Sequence, residues 1–180
     1  NDAALWDVMD SYRVHGKAVA ADTAGRTFDH DPKYLNMRIG MNSRLDTIQA
    51  AILIEKLAIF GEEIELRQAV ADRYASGLSG SVIAVPKVIR GGQSTWAQYV
   101  IEHDNRDGLA AHLKANEIPS AVYYPVPMHQ QAPYADFPVG PGGMSVSEAK
   151  AETVIALPMH PYLQPDVQDR VIEAIRGFNG

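Results

Sequence analysis

A chain of 180 residues with 46% apolar and 21% charged side chains has the balance of a folded domain with a core, which excludes collagen-like and disordered classes. A formal charge of −6, with its basic residues scattered, argues against a nucleic-acid partner, because phosphate binding needs clustered positive charge. The absence of cysteine removes disulfides, zinc–thiolate sites and thiol catalysis, and fits a reducing cytoplasm.

The opening residues, NDAALWDVMD, are acidic and amphipathic, unlike a signal peptide, and start without a methionine. They read as the middle of a longer chain. Leu5, Val8, Met9 and Tyr12 lie three and four apart, which predicts a helix over 2–14 that His15-Gly16 stops. Residues 17–38 lack periodicity and form a long loop, a length that in compact domains is usually functional or disordered.

Ser43-x-x-Asp46 then reads as a helix start, followed by LDTIQAAILIEKLAIF. This run is too short, and too interrupted by Gln49, Glu55 and Lys56, to span a membrane. Its apolar positions cover most of the helix circumference, so it needs burial on more than one side. Gly61 is expected to end it, and a second helix to run on to Gly77 and Gly80. Beyond it the pattern alternates: strands at 82–89 and 96–102, a helix at 106–116, a strand at 120–124, and helices at 145–156 and 165–178. Such alternation describes an α/β or α+β sandwich.

Two places could carry chemistry. The first is the helix start at Asn42, Ser43 and Arg44, where free backbone N–H groups, the helix dipole and a planar guanidinium suit an anion. The plainer alternative is that Asn42 and Ser43 only cap the helix while Arg44 is solvated. The second is Tyr123-Tyr124-Pro125-Val126-Pro127-Met128-His129, two phenols and an imidazole stiffened by prolines at a strand end. Here the plainer alternative is that the tyrosines pack on opposite faces of a strand. His15, His103, His112 and His160 show no metal-ligand spacing, and no metal site is expected. Neither a serine nucleophile elbow, a P-loop nor G-x-G-x-x-G is present, and none of the six lysines has a context that marks a cofactor lysine.

The order of motifs adds more than any one of them. Asn-Asp at 1–2, V-H-G at 14–16, RIGMNSRLDTIQAAIL at 38–53, R-x-x-x-A-x-R-Y at 67–74, YYPVPMH at 123–129 and ALPMHPYL at 156–163 together resemble the DegT/DnrJ/EryC1/StrS family of sugar aminotransferases. The resemblance covers nearly the whole chain. It implies the C-terminal part of a fold-type I, aspartate aminotransferase-like α/β enzyme, with long interface helices and a small α/β sandwich domain. The divisions expected are 1–40, the end of the large cofactor domain with a long loop; 41–80, a helical pair; and 81–180, the small domain.

The resemblance further implies a cytoplasmic homodimer with shared active sites, using pyridoxal 5′-phosphate to move an amino group, usually from glutamate, onto a keto-sugar nucleotide. The lysine that carries the cofactor belongs to a motif expected upstream of Asn1, so no catalytic residue is assigned in this chain and the isolated portion is expected to be inactive. By the same resemblance, Asn42 would bind the cofactor phosphate in the partner's site, Arg44 the sugar nucleotide, and Tyr123 and Tyr124 the same pocket. Relatives acting on a 3-oxo-glucuronate sugar nucleotide often carry histidine where this chain has Tyr123. His129 is a family landmark without an assigned role. Two other readings are a sugar dehydratase of the same family, in which histidine replaces the lysine, and a non-catalytic α/β binding module. The module would have a sealed surface, whereas part of a larger enzyme would leave the 43–60 helix with an exposed apolar face.

Overall fold

The computed structural model describes residues 2–29 and 31–180, and of Lys33 the backbone only. Asn1, the first residue of the opening Asn-Asp motif, lies outside the described residues. The chain divides into two units, Asn1–Ala58 and Ile59–Gly180.

In the first unit, α1 (Ala3–Arg13) starts at Asp2, whose carboxylate accepts from the Leu5 N–H at 3.0 Å. The chain reverses through His15 and Gly16, both left-handed at φ 60° and 77°. A side chain at position 16 would put its Cβ 1.7 Å from the Arg38 carbonyl oxygen, so only glycine fits there. The returning segment pairs antiparallel with the end of α1 through bridges Val14↔Asn42 and Lys17↔Asn36.

The intervening loop is more ordered than its sequence suggests. It contains the short helix α2 (Ala20–Thr23) and a 3₁₀ turn at Pro32–Tyr34. Arg38 donates both terminal nitrogens to Asp22, at 2.7 and 2.8 Å, and reaches the Ser11 hydroxyl at 3.1 Å. Hydrogen bonding from Arg38, then from the Val19 N–H, holds the Asp22 carboxyl below the usual carboxylate range. Charges separated widely along the chain thus close the base of the loop.

Among its described residues this unit buries Ser11 and Gly16 but no larger apolar side chain. Leu5, Trp6, Met9, Ile39, Met41 and Leu45 are all exposed. The unit is therefore held largely by backbone pairing and the Arg38–Asp22 ion pair, without an apolar core among its described residues.

The longest element, α3, is one helix over Thr47–Gly77 where two were expected. It begins beyond the Ser43 signature. Asp46 is the cap: its side chain accepts from the Ile48 N–H at 2.9 Å, while Gln49 accepts from the Asp46 N–H at 3.3 Å. Asp46-x-x-Gln49 is thus the true reciprocal capping box. Gly61 does not end the helix, since a lone glycine costs only about 1 kcal/mol there and no proline or C-terminal cap follows. Ile48, Ile52, Leu53, Ile54, Leu57, Ile59 and Phe60 are exposed, whereas Val70, Ala71 and Tyr74 are buried. The uncovered apolar face expected of part of a larger enzyme is present.

The second unit has a core. Strands β1 (Tyr99–Glu102) and β2 (Val154–Leu157) pair antiparallel, with Tyr99 opposite Leu157 and Glu102 opposite Val154. The strands expected at 82–89 and 120–124 shrink to single bridges, Ala84↔Glu102 and Ala121↔Ala156. Pro86, Pro119 and Pro125 flank them, and proline cannot donate to a ladder. β2 itself falls within the expected 145–156 helix: α5 (Ser145–Thr153) ends as the β-branched pair Val154-Ile155 begins.

Helices α4 (Arg106–Ala115) and α6 (Pro165–Arg176) pack on each other, and α4 also packs on β2. Tyr74, Leu78, Tyr99, Ile101, Leu109, Leu113, Ile155 and Ile175 are fully buried between these elements. Arg106, itself buried, donates to the carbonyl oxygens of Ala151 at 3.0 Å and Val154 at 3.4 Å. It thereby fixes the junction of α5 and β2, which forms one wall of the cavity described next.

Candidate functional site

The residues singled out in the sequence fall into two cavities, one in each unit. In the first unit a polar hollow of about 470 Å³ is lined by Asn42, Arg44, Leu45, Asp46, Thr47 and Gln49. Asn42 is placed by its bridge to Val14, and the next residue by the Ser43 N–H donating to the Arg13 carbonyl at 2.9 Å. Arg44 donates through Nε to Asn42 Oδ1 at 3.3 Å. That bond leaves the Asn42 amide hydrogens and the other guanidinium donors without partners among the described residues, an arrangement complementary to an oxyanion.

The helix end itself is already occupied by a side chain. Asp46 already places a carboxylate on the first N–H groups of α3, so an anion there would meet like charge. The open donors of this hollow lie at the Asn42–Arg44 edge instead. Gln49, which the sequence reading passed over, lines the same hollow; its place in the capping box was the available signal.

In the second unit a cavity of about 590 Å³ is lined by Tyr123, Tyr124, His129, Gln131, Ser147 and Lys150 together with the apolar Val126, Met128, Met144 and Val154. Tyr123 and Tyr124 do not split between a core and an outer face. Both are exposed, their ring centroids are 5.6 Å apart, and both line this cavity. No strand ladder imposes alternation here, because the pairing stops at Ala121. Their hydroxyls have no partner among the described residues.

His129 Nε2 lies 2.9 Å from Glu148 Oε1, and Lys150 Nζ lies 2.6 Å from both oxygens of Glu102. Glu148 and Lys150 drew no attention in the sequence. Their partners lie 19 and 48 residues away, beyond the range of any local pattern. Such a cavity, with aromatic and apolar walls and a few convergent polar groups, suits a small ligand having one apolar face and several hydroxyls. Among the described residues no cluster of three or more His, Asp or Glu side chains could hold a metal ion, and no helix is long and apolar enough to cross a membrane.

Comparison with known proteins puts these cavities in a family context. The chain is similar to the UDP-2-acetamido-2-deoxy-3-oxo-D-glucuronate aminotransferase of Pseudomonas aeruginosa, 46% identical over 133 residues, covering 74% of this chain and 36% of that protein. Its fold matches the crystal structure of a DegT DnrJ EryC1 StrS aminotransferase from Brucella abortus, with a TM-score of 0.85 and 48% identity, over all of this chain and 45% of that one. It also matches DesV of S. venezuelae, solved in complex with a ketimine intermediate, with a TM-score of 0.80 and 32% identity over 97% of this chain and 44% of that one. The chain therefore spans about two fifths of the length of these relatives, and its architecture is that of part of a fold-type I enzyme. The sequence model of the DegT/DnrJ/EryC1/StrS aminotransferase family, a family of pyridoxal-phosphate-dependent enzymes, matches residues 1–176, and this chain belongs to that family.

Proposed function

We propose that these residues are the C-terminal portion of an aminotransferase that moves an amino group, from glutamate, onto a keto-sugar nucleotide. The observation that carries the reading is the Asn42–Arg44 pair, an oriented amide and guanidinium facing a polar hollow. Pyridoxal phosphate, when bound, supplies the electron sink through which an amino group changes carbon. Asn42 donates its amide hydrogens to the cofactor phosphate. Arg44 uses its remaining donors as a fork on a carboxylate or diphosphate oxygen of the nucleotide sugar. Tyr123 and Tyr124 stack on the sugar or base and donate their hydroxyls.

The lysine that holds the cofactor lies in an N-terminal half of the same polypeptide, and two copies of the complete protein pair as a homodimer with shared active sites. Support comes from the apolar face of α3 from Ile48 to Phe60 and from the coreless first unit, both of which need cover. We retain the division at 1–40, 41–80 and 81–180 as the domain plan of the complete protein, and a cytoplasmic setting.

Arg44→Ala in the complete protein tests the assignment. Loss of a charge-assisted bond is expected to raise KM for the nucleotide sugar at least about tenfold, with cofactor retention and the glutamate half-reaction unchanged. Unchanged sugar kinetics would remove Arg44 from the substrate site.

A further inference from the structure

His129 lines the Tyr123–Tyr124 cavity but is held from outside it. Its Nε2 sits 2.9 Å from Glu148 Oε1, and Glu148 is not among the residues that line the cavity. Gln130 directs its amide at the same oxygen, at 3.5 Å. Glu148 stands in the first turn of α5. A carboxylate only accepts, so the imidazole nitrogen facing it carries the proton. In the neutral ring the other nitrogen, Nδ1, is then an acceptor, and among the described residues it has no partner.

We propose that Glu148 is a positioning residue that locks His129 as the Nε2–H tautomer, so that Nδ1 accepts a hydrogen bond from a hydroxyl of the sugar in this cavity. The inference rests on reading the cavity as the nucleotide-sugar site, and deepens it. The surrounding side chains make the acceptor informative. Lys150 only donates and is already committed to Glu102, while the tyrosine and Ser147 hydroxyls and the Gln131 amide can each donate or accept. A sugar hydroxyl needs an acceptor for its own proton as well as donors to its oxygen, and His129 Nδ1 supplies one. The outward half of the pair also anchors the Pro127–Gln131 wall to α5, whose far end Arg106 secures to the core.

The test uses the complete protein loaded with pyridoxal phosphate, with glutamate as donor and a keto-sugar nucleotide as acceptor. Glu148→Ala and His129→Ala should each raise KM for the sugar nucleotide about tenfold, the double variant no further, and the glutamate half-reaction should stay within about twofold. Glu148→Gln, whose amide oxygen still accepts from Nε2–H, should restore most of the loss. A sugar KM unchanged in Glu148→Ala, additive effects in the double variant, or an equal slowing of the glutamate half-reaction would each overturn the proposal. The ¹⁵N shifts of the His129 ring report the tautomer without any substrate. A wild-type ring with Nδ1 protonated also overturns the proposal. An Nε2–H ring in a protein that accepts glutamate's amino group but aminates no sugar nucleotide would upholds the lock on His129 and instead sinks the functional reading.

Discussion

Tyr99 is fully buried on β1, yet its hydroxyl has no hydrogen-bond partner among the described residues. Burial, with a contribution from the negative charge of Asp72, pushes its phenol up to about 12, and burial likewise raises Tyr74. A raised pKa means that folding disfavours the phenolate. Stability is thus complete below the ordinary phenol range and is lost as pH rises from about 10 toward 12. Tyr99→Phe removes an unsatisfied polar atom at nearly constant shape. It should leave stability at neutral pH unchanged or raised by up to about 1 kcal/mol in urea unfolding, and reduce the loss between pH 10 and 12. A clear destabilisation at pH 7 would show that the hydroxyl has a partner. At this scale little was legible beforehand. Asn42, Arg44 and the two tyrosines could be singled out by residue type and motif order, but Glu148 and Asp22 gain their meaning from partners distant along the chain.

Among the elements, α3 shows both what the pattern reveals and where it fails. Its existence followed from the density of apolar residues, and its exposed face from their spread around the circumference. Gly61 misled because propensity is a weak force beside a helix that continues for sixteen residues past it. The two helical glycines are opposite cases. No atom lies within 4 Å of a Cβ built at Gly61, so Gly61→Ala should stabilise the chain by about 1 kcal/mol. A Cβ at Gly77 would lie 2.6 Å from Ile172 Cδ1 and 3.0 Å from its Cγ2, and Ile172 is itself buried in the core. Gly77→Ala should therefore cost about 1–3 kcal/mol, read as a lower unfolding midpoint. Equal effects at both positions would contradict this account of α3. The strands were less legible than the helices because each is four residues long or a single bridge, too short for a period of two to declare itself.

At the scale of the molecule, the second unit has a core while the first leaves Trp6, Met9, Leu45, Ile48 and Leu57 in the open. This contrast disfavours a self-sufficient binding module, which would seal its surface. The family was legible because its motifs recur in order along nearly the whole chain, something no single motif could establish. The identity of the sugar was not, because it depends on the shape of a cavity whose walls come from two separate stretches of sequence, 123–131 and 144–154.

In the function proposed above, this chain completes the acceptor site of a sugar-nucleotide aminotransferase. The most direct measurement is the absorbance of the complete protein, first converted to its aminated cofactor form by glutamate and then mixed with a UDP-linked 3-keto sugar. The expected result is return of the pyridoxal phosphate spectrum with one equivalent of amino sugar formed per site. A spectrum that does not return, or a dehydrated sugar in place of an aminated one, would contradict it.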